Sequence, residues 1–450
     1  MHFCEITVSY IYCFFMRNFE LESAEERATN RLVPEGWQAR VMVQEEDYDL
    51  KSLLVLNNPY LLLSKDWPSD TGVEFPEIKD EDIPRLSARA QGRTICKIRD
   101  SGAVTLRFQF RFEVHDASLT EHHLLFLSEI GRDWREGRDR AVLKVCGGSL
   151  SLWEKFVEVS AHLDRKLGFA VLEQLLGTRI AGRTRKFVEP ELAGDKRDPL
   201  RPYPVIWGTF ASSDDYARVR SFRFETGKMP PDSSQPVMEV LLQTLVGALR
   251  PGRDLTFCRE YGLLDEKDSL MNYCPVEGFF RNFTHRTSLC LSPPDLEAER
   301  LWKQLYLMTV EVMEAIRLRW HLVGIGNLVL DWEIQAAEQQ LNEVARFKDP
   351  IADEARILEI LRALSQERAQ WATIRLRFME DPVSHLMGSG SLNEMYERAI
   401  RMFRLHELDA LLNAKSEALD RVIDQIMDFA KISQLLQLAI KEGREGRKKS

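Results

Sequence analysis

The segment Leu405–Ile440 reads LHELDALLNAKSEALDRVIDQIMDFAKISQLLQLAI and repeats apolar residues at steps of three and four positions. This spacing predicts an α-helix with one apolar face, and a helix of this length would extend about 54 Å. We call the residues on this face the assembly seam, and they are Leu405, Leu408, Leu412, Leu419, Val422, Ile426, Phe429, Leu436 and Ile440. Lys415 and Ser433 interrupt the pattern. Because further apolar residues flank the seam, we expect a helix bundle, within one chain or between chains, and not an isolated zipper.

Long helices are predicted for the whole region 293–442, and a basic tail, 443–450, follows them. Asp-Pro pairs separate the helices, since the residue before a proline disfavours the helical conformation. Gly324 and Gly326 interrupt one of these helices, and glycine inside a helix costs about 1 kcal/mol relative to alanine. We interpret them as a place where another backbone packs closely or where the helix bends.

Serine–glutamate capping boxes mark three helix starts. Ser118 and Glu121 predict a helix over 119–134, Ser151 and Glu154 predict one over 152–176, and Ser391 and Glu394 open the last helix. In such a box the serine hydroxyl accepts a hydrogen bond from a free helix N–H, and the glutamate reaches back to the N–H of the capping residue.

A β-hairpin is predicted between Thr94–Ile98 and Ala103–Val114. The second strand alternates apolar and polar residues, which is typical of a strand with one buried face and one solvent face. The residues expected on the buried face are Val104, Leu106, Phe108, Phe110, Phe112 and Val114, and those expected on the solvent face are Thr105, Arg107, Gln109, Arg111 and Glu113.

The predicted fold class is α+β, with N-terminal mixed α/β regions followed by a long-helix C-terminal bundle or coiled coil. We expect a first α+β domain over 20–187 and a second α+β region over 205–292. A segment rich in proline, glycine and charge, 188–204, is interpreted as the linker between them.

The N-terminal segment 1–19 is apolar and has three possible interpretations. It is a strand, a translation-start artefact with Met16 as the true beginning, or a segment that dips into a membrane. It lacks the basic start and the cleavage site of a signal peptide. No stretch of the chain reaches the about 18 apolar residues that a spanning helix needs, so no transmembrane segment is expected.

The charge and the cysteine content of the chain indicate which partners and which cellular compartment to expect. The formal net charge of −9 gives no general attraction to nucleic acid or anionic lipid, so no nucleic-acid partner is expected. The seven cysteines are odd in number and have no close-spaced framework. A reducing compartment, and therefore a cytoplasmic location, is the simplest interpretation.

Two groups of residues are candidates for a binding site. The segment 177–184, GTRIAGRT, has the spacing of a phosphate-binding loop, and the basic residues around it are Arg179, Arg183, Arg185 and Lys186. The preceding residues predict a helix and not the strand that such a loop needs, which favours a solvated basic turn over an anion site.

The second group has the side chains of a zinc site, namely Cys258, Cys274, His285 and Cys290. Zinc sites usually draw their ligands from close pairs, and these four are spread singly, which favours reduced thiols. We therefore expect no metal, no cofactor and no catalytic residues, and the chain contains no recognisable catalytic motif.

The region from Asp381 to Phe429 resembles the helical region of the required-for-meiotic-nuclear-division family, which is itself akin to the cytosolic part of CorA-type magnesium transporters. The shared features are the Asp381-Pro382 break, the pair Leu392 and Tyr396, and Leu412-Asn413-Ala414-Lys415 on the following helix. Those families continue into membrane spans, which are not expected here. The resemblance implies an N-terminal α/β part followed by long assembly helices, and it does not imply transport.

These observations favour a soluble intracellular scaffold, regulatory or sensor protein that acts through protein contacts or self-association of its helical region. An enzyme or ligand-binding protein with an unrecognised phosphate- or nucleotide-directed site is the alternative. A peripheral membrane protein is a further alternative, based on the apolar N-terminus.

Overall fold

The structure is a computed structural model of the chain. It describes residues 2–17, 37–42, 60–67, 71–75, 86–99, 103–114, 119–130, 143–145, 148–150, 152, 155, 159, 170–171, 202–221, 241, 244, 279–284, 286–345, 358–360, 362 and 390–449. Within these residues, strands form a mixed sheet and several helices accompany it, so the fold class is α+β as predicted.

The strands, in chain order, are β1 (His2–Arg17), β2 (Gln38–Met42), β3 (Tyr60–Asp66), β4 (Thr71–Phe75), β5 (Leu86–Arg99), β6 (Ala103–Glu113), β7 (Leu119–Thr120), β8 (Leu143–Val145), β9 (Gly148–Leu150), β10 (Ala170–Val171), β11 (Tyr203–Phe210), β12 (Phe280–Phe283) and β13 (Ser288–Ser292). The helices with defined ends are α1 (Glu121–Glu129), α2 (Ser213–Ser221), α3 (Glu299–Ala345), α4 (Gly390–Met402) and α5 (Leu405–Lys449). Among them, no helix combines the length and the apolar character that crossing a bilayer requires.

The sheet has the strand order β12-β13-β11-β1-β6-β5-β4-β8-β9, with β3 added on β5 and β2 on β3. Among the described pairings, β11 with β13 is parallel and the others are antiparallel. The predicted hairpin is present, since β5 and β6 are antiparallel neighbours. Strand β1 lies between β6 and β11, so the apolar N-terminal segment forms a central strand of the sheet.

The main apolar core lies on one face of the sheet. Alternate residues of β1 and β6, such as Tyr10 and Phe110, point to this face and pack with α1. Tyr10 also donates a hydrogen bond of 2.8 Å to the carbonyl of Leu127 in α1. All the predicted core residues of β6 from Val104 to Phe112 are buried.

The opposite face of β6 differs from the solvent face that we predicted. Thr105 and Arg107 are buried, whereas Gln109 and Arg111 are half-buried. The reason is that the first part of α3 covers this face, so polar residues at one end of the strand lie between sheet and helix. Alternation reveals that a strand has two kinds of face, but it does not reveal what covers the polar one.

Helix α1 begins later than the capping box predicted. Leu119 and Thr120 form the short strand β7, and Thr120 is the N-cap. The backbone N–H of Thr120 donates a hydrogen bond of 2.9 Å to Nδ1 of His123. His123 is buried against the ring of Phe75, although neighbouring histidines at a helix start are usually at the surface.

The chain divides into two compact units, and neither follows the predicted domain boundaries. The first comprises 1–172, 198–320 and 382–404, and the second 173–197, 321–381 and 405–450. Strands from both predicted regions, 20–187 and 205–292, lie in one sheet because β11 pairs with β1. The interpretation of 188–204 as a linker fails at its end, since Tyr203 and Pro204 belong to β11, and 188–201 lie outside the described residues.

In the second unit, α5 contacts the second half of α3. The carbonyl of Leu408 accepts a hydrogen bond of 3.2 Å from the Asn327 amide, and Lys415 pairs with Asp331 at 2.6 Å. Lys415 Nζ also donates a hydrogen bond of 3.1 Å to the carbonyl of Asn327. The pair with Asp331 also explains why a lysine interrupts the assembly seam.

The last helix differs from the prediction in its start. Two helices, α4 and α5, replace the single helix expected from Ser391, and the chain turns between them at Phe403 and Arg404. Arg404 has a φ of 53°, in the left-handed region that ends helices. Close packing is not found at Gly324, where an added Cβ would meet no atom within 4 Å.

Candidate functional site

Basic side chains lie on the buried polar face of the sheet. Side chains alternate along strands, so residues two apart share a face. Lys97 of β5 is opposite Thr105 of β6, and Arg107 is two residues beyond Thr105. Lys97 and Arg107 therefore lie side by side on the face that α3 covers, and both side chains are 2% exposed.

Two carboxylates of α3 meet these cations. Lys97 Nζ donates hydrogen bonds of 2.6 Å to Glu311 and 3.1 Å to Glu314. Nη1 of Arg107 lies 3.4 Å from Glu311 and 3.3 Å from Glu314. The two glutamates are three positions apart, a spacing that places both on one side of a helix. We call Lys97, Arg99, Arg107, Glu311 and Glu314 the ion cluster.

The cations of the ion cluster stabilise the ionised form of the neighbouring carboxylate of Glu311. Burial alone raises the pKa of the Glu311 carboxyl, but Lys97 and Arg107, with Arg99 adding to them, favour its ionised form. The net result is a pKa below the ordinary value for glutamate. A carboxylate held ionised by fixed cations is a poor proton donor near neutral pH. The ion cluster thus positions α3 on the sheet.

Hydroxyl groups continue this polar layer toward β11 and β13. Tyr306 of α3 donates a hydrogen bond of 2.8 Å to Oγ of Ser9 in β1. Tyr203 of β11 donates one of 2.8 Å to the carbonyl of Thr284. Burial raises the pKa of both phenols above the ordinary tyrosine value, so both remain hydrogen-bond donors. These bonds satisfy buried polar groups, as packing requires.

The structure gives no support to the zinc candidates within its described residues. Cys290 lies in β13, fully buried, and burial raises the pKa of its thiol to about 12. A thiol that stays protonated is a weak nucleophile. Cys258, Cys274 and His285 lie outside the described residues, and the search of the described ones finds no group of three or more potential ligands.

The predicted anion-binding residues Arg179, Arg183, Arg185 and Lys186 also lie outside the described residues. Whether they approach one another stays a prediction.

Much of the assembly seam is covered within the chain itself. Leu405, Leu412, Leu419 and Ile426 are buried, Leu408 and Val422 are half-buried, and the side chains of Phe429, Leu436 and Ile440 lie outside the described part. Ile423, beside the seam, is also buried. Leu405, Leu412, Leu419 and Ile426 are therefore covered by the chain itself, whereas Leu408 and Val422 keep part of their surface exposed.

A different face of α5 is apolar and exposed. Its residues, which we call the terminal-helix face, are Met427, Ile432, Leu435 and Leu438. The side chains of Ile432, Leu435 and Leu438 are 55%, 66% and 57% exposed. The large apolar residues described beyond position 426 thus lie on a different side of the helix from Leu412, Leu419 and Ile426, which are buried. A helix that is apolar on several sides is usually covered by other helices or by lipid.

Sequence reasoning missed both features for definable reasons. The ion cluster joins residues more than 200 positions apart, so no local pattern contains it. The terminal-helix face was missed because Met427, Leu435 and Leu438 do not fall on the spacing of the assembly seam. Angular position about the helix axis, at about 100° per residue, would have separated the two faces before the structure was known.

The residues that carry the family resemblance have structural partners in each unit. In the first unit, Tyr396 accepts a hydrogen bond of 3.3 Å from Arg319. In the second unit, Lys415 pairs with Asp331. No protein-family model, curated protein or solved structure matches the chain. The resemblance therefore stays a prediction.

Proposed function

We propose that this protein acts through protein–protein contacts, as a scaffold, regulator or sensor, and that the terminal-helix face is its partner-binding surface. The observation that carries the proposal is the exposure of Ile432, Leu435 and Leu438 on a helix whose earlier residues Leu412, Leu419 and Ile426 are buried. Contiguous exposed apolar residues on a soluble protein mark interaction surfaces.

The energetics favour occupancy of this face. Burying a leucine or isoleucine that is about two-thirds exposed is worth roughly 1–2 kcal/mol. Burial of the whole terminal-helix face would therefore contribute several kcal/mol, compared with the binding free energy of about 8 kcal/mol of a micromolar complex. In the complex α5 would belong to a helix bundle, and this completes the assembly role predicted for the region.

A reducing compartment, such as the cytoplasm, belongs to the same proposal. The described cysteines Cys4, Cys13, Cys96 and Cys290 are free thiols. Burial raises the pKa of Cys96 and Cys290 to about 12, which keeps both protonated. Free thiols in a protein core are typical of reducing compartments.

The test uses cells that make the protein naturally. The apparent mass of the chain in native extracts is compared between wild type and the variant Ile432→Ser/Leu435→Ser/Leu438→Ser. We expect wild type to migrate in a larger complex than the variant. The matched control replaces exposed polar residues of the same helix, Glu407→Ser and Asn413→Ser, and should migrate as wild type. Equal apparent masses for wild type and the apolar variant would contradict the proposal.

A further inference from the structure

One cation of the ion cluster has no carboxylate partner in the described part of the chain. Arg99 is the last residue of β5 and lies two positions beyond Lys97, so both share the face of the sheet that α3 covers. Glu311 and Glu314 pair with Lys97 and Arg107 instead. Arg99 is 8% exposed, and its Nη1 atom is buried without a hydrogen bond. A buried charge without a partner is costly, and a bound ion is one of the ways in which such a group is satisfied.

The charges of the ion cluster do not cancel. Lys97, Arg99 and Arg107 carry three positive charges and the two glutamates carry two negative ones, which leaves one positive charge. The surroundings do not offset it. The described carboxylates nearest to the cluster on this face are accompanied by at least as many cations, since Asp66, Glu5 and Glu113 stand beside Arg93, Arg111 and Arg317.

The Arg99 end of the cluster is the part that reaches solvent. Arg99 and Glu311 are 8% and 12% exposed, whereas the other three members are exposed by 2% or less. Arg99 also helps to lower the pKa of the Glu311 carboxyl, so its guanidinium lies close to the centre of the cluster. So small an opening suits a free ion better than the phosphoryl group of a bulky nucleotide.

A hydroxyl group beside Arg99 adds a second unpartnered polar atom. Thr105 of β6 is 1% exposed, and its Oγ1 has no hydrogen-bond partner among the described residues. In the β5–β6 register Thr105 is opposite Lys97 and therefore diagonal to Arg99, a separation that a long side chain spans. The two unpartnered donors thus belong to neighbouring positions of the same buried face.

We propose that a small oxyanion, such as inorganic phosphate, binds at Arg99 and stabilises the contact of α3 with the sheet. A guanidinium presents two parallel N–H groups that match two oxygens of an oxyanion, and the Thr105 hydroxyl can donate to the same ion. The ion would also neutralise the excess positive charge of the cluster. This inference does not use the terminal-helix face, so either proposal can fail without the other.

Equilibrium dialysis of the full chain against radiolabelled phosphate tests the inference. We expect saturable binding that Arg99→Gln weakens at least about tenfold, because the variant loses both the charge and the paired donors. The matched control Arg93→Gln removes a cation from the same face of β5. Its side chain is 49% exposed and pairs with Asp66, so the variant should bind phosphate as wild type does.

A second variant keeps the test decisive if Arg99→Gln does not fold. Arg99→Lys retains the positive charge but lacks the paired donors, and it should weaken phosphate binding at least about threefold. In thermal unfolding, phosphate should raise the midpoint of wild type above that in chloride at equal ionic strength, and this shift should shrink in Arg99→Lys.

Four results would overturn the inference. These are no saturable binding of phosphate by wild type, equal binding by wild type and the Arg99 variants, the same loss of binding in Arg93→Gln, and displacement of phosphate by an equal concentration of chloride. The last result would assign the site to a monatomic anion instead of an oxyanion.

Discussion

The ion cluster and the terminal-helix face differ in opposite ways from the usual pattern of burial. Charged side chains are buried in the first, and apolar side chains are exposed in the second. In the first unit, Lys97, Arg107 and Glu314 are almost completely buried, although charged side chains are rarely found inside proteins without partners. In the second unit, Leu435 and Leu438 are exposed, although leucine is commonly buried. The difference shows that what covers a residue decides its burial as much as its own polarity does. The charged side chains form ion pairs with other residues of the chain, whereas Leu435 and Leu438 remain mostly exposed to solvent.

The largest effect is expected from breaking the ion cluster. Glu314→Ala leaves Lys97 and Arg107 to share Glu311 in a buried site, which should lower the free energy of unfolding by about 3–5 kcal/mol. The matched change Asp428→Ala removes a carboxylate from an ion pair whose side chains are 69% exposed and should cost about 0–1 kcal/mol. Urea denaturation of both variants measures the difference. Equal losses would mean that the ion cluster is accessible to water.

The contrast between the buried and the exposed face of α5 can be tested by replacing one isoleucine on each face with alanine. Ile426 is fully buried and Ile432 is 55% exposed. Ile426→Ala should lower the free energy of unfolding by about 2–5 kcal/mol, because it removes buried contacts. Ile432→Ala should change it by less than about 0.5 kcal/mol in the isolated chain. A large loss at Ile432 would show that the face is already covered within the protein.

A buried histidine extends the comparison to a group that changes charge with pH. Burial, with a smaller effect from His122, lowers the pKa of His123 to about 4. The unfolded chain binds this proton near pH 6.5 and the folded chain does not, so stability falls as pH drops from about 6.5 to about 4. The loss should reach about 3 kcal/mol, and His123→Gln should remove that part of the pH dependence. The same pH profile in both proteins would contradict the burial of His123.

The smallest expected effect is at Gly324. A Cβ added there meets no atom within 4 Å, so the substitution creates no clash. Gly324→Ala should raise the free energy of unfolding by about 1 kcal/mol through helix propensity. Thermal unfolding compares the variant with wild type. A decrease in stability would restore the interpretation that another backbone packs closely at this position.

Local patterns predicted much of the secondary structure. The two-residue period identified β6 and its hairpin with β5, and the apolar spacing identified the helix that became α5. These predictions succeed because hydrogen bonding and side-chain alternation within an element depend on neighbours in sequence. The break at Phe403 and Arg404 was missed because nothing in the pattern of three- and four-residue steps requires the chain to turn there.

Long-range pairing could not be predicted. The placement of β11 beside β1 joins residues about 200 positions apart and unites two regions that composition had separated. The covering of Arg107 by α3 likewise depends on Glu311 and Glu314. A single sequence contains no local signal for such pairs, so the domain boundaries and the ion cluster both required the structure.

The contacts of the last helix were predicted only in part. The sequence indicated that this helix has more apolar residues than an isolated zipper needs, and Leu435 and Leu438 are exposed in the structure. It predicted that the assembly seam packs within one chain or between chains, and Leu419 and Ile426 of the seam are buried within the chain. Distinguishing a face covered by the same chain from one left open requires knowledge of where the second half of α3 lies.

The central claim is that the terminal-helix face contacts a protein partner, and site-specific photo-crosslinking in living cells tests it most directly. A photoreactive amino acid replaces Leu435 in one variant and Glu407, which is exposed elsewhere on α5, in another. The account predicts a discrete covalent adduct with another protein from position 435 and none from position 407. No adduct from position 435, or the same adducts from both positions, would contradict it.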